Sequence, residues 1–60
     1  MFSKRHYEFL ARFIAREMSV SDVERMAVIA GLARLLASEL QRDNGKFDRA
    51  RFLEAAQVSE

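Results

Sequence analysis

Between Asp22 and Asp43 the chain reads VERMAVIAGLARLLASELQR, an unbroken stretch without proline that takes up a third of its 60 residues. Met26, Ile29, Ala33, Leu36 and Leu40 recur there at alternating steps of three and four, which stacks them on one side of a helix. Val28, Leu32 and Leu35 follow the same rhythm a quarter to a third of a turn away. The apolar arc therefore exceeds the ~100° stripe of an ordinary surface helix, and one neighbouring helix cannot cover it. Ala27, Ala30, Ala33 and Ala37 are interleaved with the large residues, and at such small positions a second helix axis can come close. Gly31 has two readings, a close helix crossing or a tolerated surface glycine beside the polar arc of Arg34, Ser38 and Gln41.

The remaining segments are short enough to act as cover for this helix. Ser3 is placed to cap a first helix over Lys4 to Met18, with Tyr7, Leu10, Ile14 and Met18 as its apolar seam and Ala11 beside them. Lys4, Glu8 and Arg12 stand at spacing four on the other side, as an ion-paired solvated stripe would. Phe9 and Phe13 lie off the seam, near His6 and Arg16, and make a second apolar patch. Of two capping serines, Ser19 and Ser21, the second fits better, because Ser21-Asp22-Val23-Glu24 has the spacing of a capping box. The long helix is then expected over Asp22 to Asp43. A turn of two to three residues forces the first two helices into an antiparallel hairpin.

Asp43-Asn44-Gly45 reads as a stop, since asparagine and glycine tolerate the left-handed conformation that closes a helix. A third helix, Arg49 to Gln57, is expected behind an Asp48 cap, with Phe47 and Phe52 spaced as a hydrophobic staple and Phe52, Leu53 and Ala56 facing inward. So short a helix is not stable alone and must dock on the hairpin, while Val58 to Glu60 are expected to fray. The predicted fold is all-α: one domain over residues 1–60, an antiparallel helical hairpin with a long central helix plus a short C-terminal third helix.

A chain of this size buries only about 60% of the surface that its unfolded form exposes, so its stability is marginal or shared with a partner. Cysteine is absent, which excludes disulfides and thiolate zinc sites. Ten Lys and Arg against nine Asp and Glu leave a formal charge of +1, unlike the strongly basic footprint of a stand-alone nucleic-acid binder. The longest apolar run, Met26 to Ala33, is far short of the ~20 residues that span a bilayer, and the long helix lacks a lysine-rich face for lying on one. MFSKRHYEF has no signal-peptide core, so the expected location is cytoplasmic.

The opening and the tail together resemble a known pattern. DNGKFDRARFLEAA is similar to the C-terminal D-N-P-x-F-D-x-x-R-F-x-x-A-C of small uncharacterised helical proteins of phages and prophages, and Phe2, His6, Tyr7 and Ala11 match their F-x-x-x-H-Y-x-x-x-A opening. Gly45 stands where that pattern has proline and Ala56 where it has cysteine. The resemblance implies a phage or prophage source and a compact helical fold, and it carries over no functional residues.

Chemistry finds little purchase in this sequence. His6 is the single histidine, and neither Glu8 nor Glu17 falls where an acid-base partner would have to be. The Asp43 to Asp48 stretch lacks the ligand spacing and terminal glutamate of a calcium loop. No phosphate loop, Ser/His/Asp set or H-E-x-x-H occurs. The expectation is a non-enzymatic chain with no cofactor and no metal.

Two binding classes remain. A protein-interaction module, first of all a homodimer and with a host protein as a further partner, would use Phe9, Phe13, His6, Val28, Leu32 and Leu35. The opposing possibility is that these residues all pack within one monomer, with the third helix filling the gap. The second class is an accessory nucleic-acid binder using Arg5, Arg12, Arg16, Arg49 and Arg51. Against it stand a turn longer than that of a helix-turn-helix and a third helix without a run of base-reading side chains.

Overall fold

The computed structural model describes residues 2–59, and every regular element in them is helical: α1 (Lys4–Ser19), α2 (Val23–Asp43) and α3 (Arg49–Ala55). At 21 residues, α2 is about 31 Å long at ~1.5 Å per residue, nearly the full 33 Å of the molecule's long dimension. Each helix touches both of the others.

Serine chemistry at the first boundary differs from the expected capping box. Ser19 Oγ donates to the Arg16 carbonyl at 2.8 Å and Ser21 Oγ to the Glu17 carbonyl, so both hydroxyls close the end of α1. The N-cap of α2 is Asp22, whose Oδ1 accepts from the Arg25 N–H at 2.8 Å. An ionised carboxylate is the stronger acceptor at the positive end of a helix dipole, which is why it takes the position from Ser21. At the start of α1 the N-cap is Ser3, as expected, but His6 completes it: Nδ1 accepts the Ser3 N–H at 3.1 Å and lies 3.0 Å from Ser3 Oγ. His6 therefore does what glutamate does in a capping box, and the bond requires an Nδ1 that carries no proton.

The core is built from a few large side chains set against alanines. Ala11, Ile14 and Met18 of α1 are buried, with Tyr7 and Leu10 half-buried beside them, so the predicted seam faces inward. On α2 the buried positions are Ala30, Ala33, Ala37 and Leu40, while Met26, Ile29 and Leu36 are half-buried against the core. Gly31 is not a close crossing, since a Cβ there would meet nothing within 4 Å. Among the described residues Lys4, Glu8 and Arg12 form no ion pair, because exposed long side chains gain little by being held together.

Asp48 caps α3 as read from the sequence, its Oδ1 accepting the Arg51 N–H at 3.0 Å. Phe47 and Phe52 form the staple with ring centroids 5.4 Å apart, and Phe47 also packs on Tyr7 at 4.5 Å. Neither end of this region closes as expected. Asn44 ends α2 in an extended conformation (φ −137°, ψ 104°), its side-chain oxygen taking the Lys46 N–H at 3.1 Å, and Gly45 has no positive φ. The left-handed residue is Gln57 (φ 61°), just past the end of α3. There the Val58 N–H reaches the Leu53 carbonyl at 2.8 Å and the Gln57 N–H reaches the Glu54 carbonyl at 3.0 Å, a Schellman closure that stops α3 two residues before the predicted Gln57. Val58 is buried by it, and Arg34 Nε holds the Ser59 carbonyl at 3.0 Å. The tail expected to fray is thus fixed through Ser59, and Glu60 lies outside the described residues.

These details set expected stabilities. Gln57→Gly removes the Cβ from a left-handed residue and should raise stability by about 1 kcal/mol. Leu53→Ala, at a side chain with no exposed surface, should lower stability by about 2–5 kcal/mol, and Leu36→Ala by clearly less, since Leu36 is only half-buried. His6→Ala should lose about 0.5–2 kcal/mol with its cap, while His6→Gln, which restores an acceptor, should lose little. Thermal melts of the five variants beside the parent chain decide each point; a destabilised Gln57→Gly would refute the cap assignment.

Candidate interaction surface

Turning Ala11, Ile14 and Met18 inward leaves the other flank of α1 facing out. Phe9 is 60% exposed and Phe13 53%, and on α2 the values are 64% for Val28, 62% for Leu32 and 67% for Leu35. α3 does not cover them: its large side chains, Phe52 and Leu53, are buried in the core instead. Packing of all five within one monomer is therefore excluded.

Phe13 and Leu32 both line an open groove of about 380 Å³ between α1 and α2. Leu10 and Ile14 line it from α1, and Ile29, Ala33 and Leu36 from α2. Among the described residues Glu17 is its one charged lining residue, and no residue of α3 contributes. Phe9, Val28 and Leu35 do not line this groove; they are further exposed apolar side chains of the same two helices. His6 stands apart from it, held in the α1 cap by Ser3 and edge-on to Phe2 with centroids 6.1 Å apart.

The five arginines of the nucleic-acid reading fall differently. Arg5, Arg12, Arg16 and Arg51 are exposed and Arg49 is half-buried, and Arg51 alone of the five lines a second, larger pocket between α1, the 44–48 turn and α3. That pocket holds about 580 Å³ and has Tyr7, Phe47 and Phe52 in its lining. It was not foreseen from the sequence. The staple spacing of Phe47 and Phe52 was visible, but the approach of Tyr7 depends on Asn44, whose Nδ2 donates to the Tyr7 hydroxyl at 3.3 Å across 37 residues of chain.

Among the described residues no three His, Asp or Glu side chains are grouped so as to hold a metal ion, and no helix is long and apolar enough to cross a membrane. No family model, curated protein or solved structure matches the chain.

Proposed function

We propose that this protein is a small, non-enzymatic interaction module that binds another chain through the apolar face of α1 and α2, a second copy of itself first. The observation that carries the reading is the set of five large apolar side chains, Phe9, Phe13, Val28, Leu32 and Leu35, more than half exposed on two neighbouring helices. Aromatic residues one helical turn apart are the usual anchors of an interface, and the groove beside Phe13 offers a matching recess. A two-fold axis lets each copy's Phe13 face the other's groove, so one surface serves as both knob and hole.

In the arrangement we infer, α1 and α2 form an antiparallel hairpin around the long central helix. The short link between Ser19 and Val23 supports it, as does the bond from Asn44, at the end of α2, to Tyr7, near the start of α1. Two such hairpins face to face make a four-helix layer with both α3 helices outside it. Full burial of such a side chain is worth about 1.5–3 kcal/mol, and these five are already partly covered, so about 1 kcal/mol each is a fair gain. Symmetry doubles that gain to about 10 kcal/mol, which is of the same order as the ~4–15 kcal/mol lost on association, so any self-association through this face is weak and concentration-dependent. The likeness to phage and prophage proteins extends the proposal to a phage-encoded modulator acting in the bacterial cytoplasm, with a host protein as a further partner for the same face.

Light scattering behind a sizing column should give a dimer mass at tens of micromolar. Phe9→Asp should give a folded monomer with undiminished helical circular dichroism, since the exposed aspartate harms only the assembled state. A parent chain that stays monomeric at high micromolar concentration would end the self-association reading.

A further inference from the structure

The pocket between α1, the 44–48 turn and α3 takes no part in the proposed interface and shares no lining residue with the α1–α2 groove. From it we infer a second activity: the pocket binds a small aromatic monocarboxylate of one or two rings. Its volume of about 580 Å³ lies within the ~300–1,000 Å³ range of pockets that hold organic ligands. The wall is aromatic and continuous, with Phe2 on Tyr7 at 6.2 Å, Tyr7 on Phe47 at 4.5 Å and Phe47 on Phe52 at 5.4 Å. Phe2 is 47% exposed at one edge, which leaves a ring for a ligand ring to pack against.

Charge decides what the ring carries. Lys4, Lys46 and Arg51 line the pocket, and among the described residues their side chains form no ion pair or hydrogen bond. Two carboxylates also line it, Glu8 and Asp48, and Asp48 Oδ1 is already taken by the Arg51 N–H. Among the described lining residues, three cations against two carboxylates leave one positive charge in excess. A monoanion satisfies that excess, whereas a phosphate dianion would meet the repulsion of Glu8 and Asp48. The Tyr7 hydroxyl accepts from Asn44 Nδ2 and keeps its own proton to donate, so a carboxylate oxygen finds a neutral donor beside the cationic ones.

The test is a titration of the full chain with 2-naphthoate and with its neutral analogue 2-naphthalenemethanol, read by amide chemical shifts in two-dimensional NMR. Naphthoate should move the amides of Tyr7, Asn44, Lys46 and Phe52, and the alcohol should bind about tenfold more weakly or worse, as loss of a charge-assisted contact implies. A Lys46→Gln, Arg51→Gln double variant alters exposed side chains only, so it should fold; it should weaken naphthoate about tenfold and leave the alcohol unchanged. Three outcomes overturn the inference: equal binding of acid and alcohol, shifts centred on Phe13, Leu32 and Leu36, or no shifts at low millimolar naphthoate. None of them bears on self-association, which a dimer mass tests separately.

Discussion

Phe47 touches Tyr7 on one side and Phe52 on the other, and the position of α3 depends on that stack. Seven residues cannot sustain a helix in water, because nucleation is unfavourable and too few bonds follow it. α3 exists because Asp48 fixes its first turn, Phe47 and Phe52 fix its entry angle, and Leu53 is driven fully into the core. Its far end is pinned by the Gln57 closure, which buries Val58 beside Leu53. Losing the stack would open the one cluster in which Ala11, Ala37 and Leu40 are buried together with Phe47 and Phe52, and a chain this short has no second core to fall back on.

The distribution of alanine decides which sides of α2 are satisfied. Ala30, Ala33 and Ala37 are buried because small side chains let neighbouring backbones come close. They bring little apolar area of their own, so apart from Leu40 the large buried residues of the core come from α1, from the 44–48 turn and from the segment beginning with α3. Val28, Leu32 and Leu35 stay at the surface because no third element reaches that side of α2. The chain has thus put its one short covering helix on the alanine side and left the bulkier side open.

Periodicity made all three helices legible, and with them the inward seams of α1 and α3, because a spacing of three and four survives any detail of packing. The Asp48 cap and the Phe47–Phe52 staple were equally legible, being local geometry. Misreadings came where two residues compete for one role. Ser21 and Asp22 both suit the α2 cap, and a hydroxyl drawn to the Glu17 carbonyl removes Ser21 from the contest. Asn44 and Gly45 suit a left-handed closure, yet the asparagine side chain turns back on Lys46, and the left-handed residue occurs at Gln57, where composition gives no hint of it. The tail escaped notice for a different reason. One restraint, Arg34 on Ser59, joins segments far apart in sequence, and the other, burial of Val58, follows from the unforeseen closure at Gln57.

His6 shows how one residue can answer a functional question by being occupied. A lone histidine beside two phenylalanines invites a site, but its Nδ1 already accepts the Ser3 N–H, and its ring is an edge-on neighbour of Phe2. The imidazole therefore works on the backbone, holding the first turn of α1 and, through Phe2 and Tyr7, the mouth of the aromatic pocket. A cap formed by histidine is weaker in charge than one formed by glutamate, since a neutral ring gains nothing from the helix dipole. What it offers instead is an aromatic edge, and that edge ties residue 2 to the same ring cluster that anchors α3. One end of the molecule is thereby organised by rings and their hydrogen bonds, while the exposed flank of α1 and α2 is left to plain apolar contact. The separation of those two kinds of surface is the physical reason for assigning them different partners.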